Sequence, residues 1–214
     1  QVFHTCKVAQ NIAVARNLSS SPEILKEQGN HHFVDFPDEG TLPGHYVRDL
    51  KKYSQLILDK YLELNIEVDF IYAQGLTGWA FIKAKRAGLK LPPVGVNCHG
   101  YEMYQWAANL RSKLEHFMLR PSFGTLTKQA DLVFSFDAKI KDILTDILQI
   151  PERRIAVAAN GVEDSWVVDS ISLPGPIKKF LFVGRHERRK GVPELNKAIE
   201  ILKSEACEFH FVGP

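Results

Sequence analysis

Short apolar segments alternate along the chain with stretches in which apolar residues recur at every third or fourth position. Six segments are five or six residues long and rich in β-branched and aromatic residues, as in parallel strands that are buried on both faces. They cover residues 68–73, 93–98, 132–136, 155–159, 179–184 and 208–213. Shorter segments of the same kind predict strands at 33–36 and 2–5.

Helical periodicity fills several of the intervals between these strands. In 137–148, one apolar stripe is formed by Ile140, Ile143, Leu144, Ile147 and Leu148, with charged residues opposite. Further helices are predicted at 50–64 and at 192–202, the latter with Pro193 in its first turn, where the missing N–H costs nothing. Alternating strands and helices imply parallel pairing through right-handed crossovers. The predicted fold class is α/β, with a doubly wound parallel sheet.

A break in the alternation predicts the domain boundary. Residues 169–176 contain two prolines, a glycine and two serines, which is typical of a linker. Residues 1–168 would form one domain, and 177–214 a single β-α-β unit that is too small to hold a core alone. We expect that unit to be the incomplete beginning of a second domain, or else to pack onto the first.

Composition narrows the function classes. The chain has 214 residues, 27 of them basic and 25 acidic, and its net charge of +2 gives no sign of a surface that wraps nucleic acid. No apolar run approaches the roughly 20 residues of a membrane span. The three cysteines lie far apart, without disulfide or zinc spacing, which favours a reducing, cytoplasmic location. We predict no metal site at His31 and His32, because adjacent strand residues point to opposite faces.

Glycine and polar residues follow four of the predicted strands. Ligands of open parallel sheets bind beyond the carboxyl ends of the strands. The four loops contain Gln74 and Gly75, then His99, Gly100, Tyr101 and Glu102, then Asn160 and Gly161, and last the segment 185–191. One such loop would be a plain turn, and that remains the alternative for Asn160 and Gly161, which both tolerate positive φ. Four together predict the rim of a cleft.

The segment 185–191 (RHERRKG) predicts an anion site. It places four fixed positive charges and His186 between a strand and the start of a helix, against the single negative charge of Glu187. The helix dipole and the cationic groups all favour an anion there. The alternative is a solvated basic turn.

The loop that begins at His99 suits a sugar. Gly100 allows a ligand to approach the backbone closely, and the acidic Glu102 and several aromatic residues follow it. The alternatives are a core histidine that bonds a backbone carbonyl and an ordinary surface carboxylate at Glu102.

Four segments in order resemble family-four glycosyltransferases of the GT-B fold. VDFIYAQGLTGWAFIKAKRAG and PPVGVNCHGYEMY resemble two β-α units of that family's N-terminal domain, the second with its His-Gly loop. ADLVFSFDAKIKDILTDILQIPERRIAVAANGVE resembles the end of that domain, and FLFVGRHERRKGVPELNKAIEIL the start of the nucleotide-binding domain. The resemblance covers residues 66–214.

The resemblance implies a retaining hexosyltransferase that moves a sugar from a nucleotide diphosphate-sugar to an acceptor hydroxyl, as in glycan, lipopolysaccharide, exopolysaccharide or glycolipid synthesis. Neither a cofactor nor a metal is implied. Arg185, Lys190 and Gly184 would bind the donor diphosphate, and His99 would be catalytic. The sugar side of the cleft would be lined by Gln74, Gly75, Gly100, Glu102, Asn160 and Gly161. The expected partners are the donor and a sugar or glycolipid acceptor, with no nucleic acid; a peripheral contact with the inner membrane surface is compatible with this function.

Two departures from the family pattern keep other functions open. Residues 1–30 lack the glycine pair expected after the first strand, and the Glu-x7-Glu motif that contacts the donor is absent, so we expect this chain to be incomplete for catalysis. A sugar-nucleotide 2-epimerase has a similar architecture and needs no acceptor. A non-catalytic binding module is the alternative if the natural chain ends near Pro214.

Overall fold

A computed structural model describes residues 2–6, 31–38, 40–42, 44–167 and 179–213. These residues form eight strands and five α-helices. In chain order they are β1 Val2–Cys6, β2 His31–Asp35, α1 His45–Glu63, β3 Ile71–Gln74, α2 Trp79–Arg86, β4 Val94–Asn97, α3 Leu110–Gln129, β5 Leu132–Ser135, α4 Ala138–Asp142, β6 Ile155–Val157, β7 Lys179–Val183, α5 Val192–Ile201 and β8 Glu208–Val212. All eight predicted strands are present, with their ends shifted by up to three residues.

Every strand pairing in the described residues is parallel. β3, β4, β5 and β6 form a four-stranded sheet in that order, while β1 pairs with β2 and β7 with β8. The α/β prediction is therefore confirmed. In the register of β3 and β4, Gln74 lies opposite Asn97 as the last pair. Both strands thus end at the same level, which brings the loops that follow them to one edge of the sheet.

The core of the first compact unit lies around β4 and the helices beside it. All four residues of β4 are buried, and Val94 and Val96 have no exposed surface. α1 is fixed to the turn after β3 by the buried Ser54, whose Oγ donates to the Thr77 carbonyl at 2.5 Å and accepts from the Ala80 N–H at 2.9 Å. These two hydrogen bonds fix the middle of α1 against the turn that leads into α2.

The chain divides into two compact units. The first comprises 1–107 and 111–160, and the second comprises 108–110 and 161–214. The predicted linker at 169–176 lies outside the described residues, so the boundary after residue 168 stays a prediction. In the second unit, Gly184 and Gly213 are in close backbone contact, and a β-carbon at position 213 would overlap the Gly184 carbonyl.

Burial on both faces is the wrong description for the outer strands. It holds for β4, but most residues of β7 and β8 are exposed, and Val157 of β6 is 68% exposed. β6 lies at the edge of its sheet, and β7 and β8 each have one paired neighbour among the described residues. A strand with a neighbour on one side only leaves more of its surface uncovered.

The helix predictions need three corrections. The segment 137–148 is α-helical only as far as Asp142 and continues as a π-helical turn, Ile143–Ile147, closed by a bond from the Leu148 N–H to the Ile143 carbonyl at 3.0 Å. α1 starts at His45, earlier than the predicted 50, and the whole of α3 was not predicted. The prediction for α5 is confirmed, with Pro193 in its first turn.

Candidate active site

The turn after β3 brings Gln74 and Gly75 to the carboxyl edge of the sheet. β3 passes directly into a 3₁₀ turn, Gly75–Gly78, that leads into α2. Gly75 has a φ of +54°, which favours glycine, and a β-carbon there would meet nothing within 4 Å. Gln74 Nε2 donates to Tyr72 Oη at 3.3 Å. Glycine is thus needed here for the backbone conformation rather than for space.

The turn after β4 holds His99 in an uncommon conformation. His99 has a φ of +49°, and the Gly100 N–H donates to the Cys98 carbonyl at 2.5 Å. Asn97 Oδ1 accepts from the His99 N–H at 3.0 Å, while Asn97 Nδ2 donates to Tyr72 Oη at 2.7 Å. A positive φ is uncommon for a residue with a β-carbon, and such strain is concentrated at functional sites. Asn97 therefore acts as the support of the His99 backbone.

The next residues direct one side chain into the core and one to the surface. Tyr101, with a φ of +48°, is fully buried, and its hydroxyl is hydrogen-bonded to Thr127 Oγ1 at 2.9 Å. Glu102 is exposed, and its carboxylate lies against Gly100, where a β-carbon would come within 2.5 Å of Oε1. The missing side chain at Gly100 thus determines where the Glu102 carboxylate can lie.

Side chains from outside this loop anchor it. Gln105 Nε2 donates to the Gly100 carbonyl at 2.7 Å, and Lys139 Nζ donates to Gln105 Oε1 at 2.6 Å. Arg120 Nε donates to the Met103 carbonyl at 2.7 Å. The loop is therefore held from α3 and from α4, as a pre-organised site requires.

A cavity of about 480 Å³ lies at the ends of β3 and β4. We call it the strand-end cavity. Its lining consists of Tyr46, Leu50, Gln74, Gly75, Leu76, Asn97, Cys98, His99, Glu102, Met103, Glu115, His116, Leu119 and Phe123. Four residues that the sequence analysis selected, namely Gln74, Gly75, His99 and Glu102, are thus brought together, and Gly100 lies between the last two along the chain.

The loop after β6 is placed differently. Asn160 is exposed and follows a strand that is separated from β4 by β5. Asn160 is not among the described residues of the first unit that line the strand-end cavity. Gly161 belongs to the second unit and is exposed, with open space around a β-carbon. The roles of both residues stay predictions.

Three polar residues of the cavity come from helices, and the sequence analysis missed them. Tyr46 lies at the start of α1, and Glu115 and His116 lie on α3. His116 Nδ1 is buried and has no hydrogen-bond partner among the described residues. A buried polar atom without a partner is rare in folded proteins.

Burial changes the titration of several groups at the cavity. It is the main cause of the raised pKa of Tyr46, with a further contribution from the charge of Glu102. It also raises the pKa of the Cys98 thiol to about 11 and raises the pKa of Tyr101. Cys98 is therefore protonated at neutral pH and is no nucleophile there.

In the second unit, the predicted donor residues lie between the end of β7 and the start of α5 along the chain. Gly184, with a φ of +153°, follows β7, and the 3₁₀ turn Arg188–Lys190 leads to Gly191, which precedes α5. Arg185 Nη1 lies 3.0 Å from Glu187 Oε1, and both side chains are partly exposed. Lys190 is exposed immediately before the helix. Cations next to a helix start are the arrangement expected of an anion site.

Among the described residues, no three His, Cys, Asp or Glu side chains are arranged to hold a metal ion. No helix in the described part of the chain has the length and apolar content that a membrane span requires.

Comparisons with known proteins bear on the fold. No protein-family model matches the sequence, and no curated protein does. A solved structure does match: the catalytic domain of starch synthase IV from Arabidopsis thaliana bound to ADP and acarbose, with a TM-score of 0.52 and 15% identity. The match covers 81% of this chain and 48% of that one, so the chain spans about half of the starch synthase domain. At this identity the likeness concerns the fold alone: the chain has the Rossmann-like α/β architecture of GT-B glycosyltransferases.

Proposed function

We propose that the protein is a retaining glycosyltransferase that moves a sugar from a nucleotide diphosphate-sugar to an acceptor hydroxyl without a metal ion. The observation that carries this proposal is the strand-end cavity, in which Gln74, His99 and Glu102 meet beyond the carboxyl ends of β3 and β4. That is where open parallel sheets bind their ligands. The resemblance of the motifs to family four supplies the finer assignment, and the GT-B fold agrees with it.

The donor diphosphate is assigned to the second unit. Arg185 and Lys190 would bind its oxygens, because a forked guanidinium and an ammonium group suit phosphate. They would also offset the negative charge that develops as the sugar–phosphate bond breaks. Gly184, which has no side chain, would let the diphosphate approach the backbone. ADP, the ligand in the starch synthase structure, is a nucleoside diphosphate of the class proposed here.

The sugars are assigned to the strand-end cavity. His99 is positioned there by Asn97 and by the turn through Gly100, and it would act on the transferred sugar. Glu102 and Gln74 offer a carboxylate and an amide to sugar hydroxyls. Acarbose in the starch synthase structure is a carbohydrate, in agreement with a sugar acceptor. We place the protein in the cytoplasm, with a peripheral contact to the inner membrane surface as part of the proposal.

The test is product analysis with the full natural chain. A panel of nucleotide diphosphate-sugars is incubated with and without acceptor sugars, in the presence of a metal chelator, and the products are separated and their anomeric configuration is measured by NMR. Transfer that needs the acceptor and retains the donor configuration supports the proposal. A free or nucleotide-linked epimer formed without acceptor indicates an epimerase instead, and binding without turnover of any donor indicates a binding module.

The same chain allows a sharper test of the donor site. Arg185→Ala and Lys190→Ala should each weaken the binding of a nucleoside diphosphate about ten- to a hundredfold, as charge-assisted contacts of roughly 1.5 to 3 kcal/mol imply. Arg188→Ala is the matched control on the same turn. Equal losses in all three variants would indicate a diffuse basic patch and no defined phosphate site.

A further inference from the structure

A second cavity adjoins the strand-end cavity within the first unit. It has a volume of about 510 Å³ and lies between the start of α1 and the first half of α3. Both cavities are lined by Tyr46, Glu115 and Leu119, so the two spaces share a wall. We call the second one the helix groove. A ligand long enough to pass these shared residues would occupy both spaces.

The two cavities differ in chemistry. The strand-end cavity offers amide, carboxylate and imidazole groups from both strand ends and α3. Half of the ten residues that line the helix groove are apolar or aromatic, namely Tyr46, Val47, Leu114, Met118 and Leu119. A polar space that continues into an apolar one fits a molecule with a polar head and an apolar tail.

The charged side chains of the groove favour an uncharged tail. Arg111 Nε lies 3.0 Å from Glu115 Oε1, one helical turn away, so these opposite charges neutralise each other. The Arg111 side chain is 90% exposed and thus directed to water rather than into the groove. The groove therefore presents no net cation to a phosphate or a carboxylate.

Apolar surface in the groove is left open to solvent. Leu114 is 60% exposed, Tyr46 54% and Met118 37%. A cluster of exposed apolar side chains beside a polar cavity is typical of a ligand-binding groove. The groove is continuous with the cavity already assigned to the sugars, and this selects the tail of the same ligand as its occupant.

We propose that the acceptor carries an apolar aglycone, an alkyl or isoprenoid chain, which lies in the helix groove while its sugar occupies the strand-end cavity. This inference rests on the proposed function, because it assigns the acceptor of that reaction. It names a substrate class: sugars linked to an uncharged apolar chain, in preference to free sugars.

Alkyl glycosides that differ only in the tail test this proposal. n-Octyl β-D-glucoside, kept below its critical micelle concentration, and methyl β-D-glucoside are titrated calorimetrically into the full natural chain. Each buried methylene improves affinity about fourfold, so burial of two or more should make the octyl glycoside at least about tenfold tighter. Equal affinities, or no binding of the octyl glycoside, overturn the proposal.

Two variants of α3 locate the binding. Met118→Gln, inside the groove, should reduce the octyl preference to about threefold or less. Phe117→Gln is the matched control, because Phe117 is 71% exposed on the same helix and does not line the groove. Both positions are exposed, so both variants should fold, which circular dichroism checks. Equal losses in the two variants would mean non-specific binding to the exposed helix face and would also overturn the proposal.

A separate titration with nucleoside diphosphates tests the glycosyltransferase function independently of the apolar aglycone. If a diphosphate binds and the two glycosides have equal affinities, the aglycone proposal is contradicted and the glycosyltransferase proposal is not. An octyl preference that depends on Met118, without diphosphate binding, supports the groove as a lipid-glycoside site and contradicts the transferase.

Discussion

The carboxylate of Glu102 occupies the space that a side chain at Gly100 would need: a β-carbon there would come within 2.5 Å of Glu102 Oε1. Gly100→Ala should therefore displace the carboxylate from its place at the strand-end cavity. Because Glu102 is flexible and exposed, the free energy of unfolding should change by less than about 1 kcal/mol. Acceptor affinity should fall severalfold, measured as KM for the acceptor.

A double-mutant cycle checks the cause. If Gly100→Ala acts through Glu102, adding it to Glu102→Ala should have little further effect. Full additivity of the two substitutions would contradict the steric explanation.

Much of the fold was predictable because the strands are short and continuously apolar. β4 is the best example, since all of its residues are buried and the sequence there contains little else than apolar residues. α3 was missed because its apolar residues lie on two faces. Leu110, Leu114 and Phe117 are exposed on one side, whereas Phe123 and Leu126 are buried on the other, so no single stripe marks the helix.

The candidate site was predictable only where it follows strands. Gln74, His99 and Glu102 could be selected because the topology of a parallel sheet fixes where its loops meet. Tyr46 and His116 come from helices whose position depends on tertiary packing. One sequence signal could have found His116. At helical spacing it lies on the same face as Leu119 and Phe123, both of which line the cavity.

Glu187 competes with a phosphate for Arg185, because the two side chains form an ion pair at 3.0 Å. Glu187→Gln should therefore tighten the binding of a nucleoside diphosphate. An exposed ion pair is worth at most about 1 kcal/mol, so the gain should be about two- to fivefold. Calorimetric titration measures it, with Glu200→Gln as the control for the change in net charge. An equal gain in both variants would show that only the overall charge matters.

The buried thiol of Cys98 makes stability depend on pH in the alkaline range. Burial raises its pKa from 9.0 to about 11 in the folded protein. Between these values the unfolded chain has lost the proton and the folded chain retains it, so unfolding releases a proton and rising pH favours the unfolded state. The loss should approach about 2 kcal/mol by pH 11.

Urea unfolding at a series of pH values from 8 to 11 measures this loss. Cys98→Ala should show a shallower decline of stability with pH. Any decline in stability that is left after the substitution belongs to other groups. Tyr101 is one of them, because burial also raises its pKa. An identical decline in both proteins would contradict the assignment to Cys98.

His116 should bind the acceptor and should not support the fold. His116 lines the strand-end cavity, and its Nδ1 is buried without a hydrogen-bond partner among the described residues, which destabilises the folded protein by about 1 to 3 kcal/mol. A sugar hydroxyl both donates and accepts, so it can satisfy either tautomer once the ring turns Nδ1 toward the cavity. His116→Ala should therefore leave the thermal midpoint unchanged or raise it, while KM for the acceptor rises about tenfold and KM for the donor stays constant.

The matched control is Lys113→Ala, at an exposed position of α3 outside the cavity lining. His116→Asn should restore part of the acceptor affinity, because its side chain again offers a polar atom near the position of Nδ1. A fall in the thermal midpoint of several degrees with an unchanged KM for the acceptor would instead make His116 a packing residue.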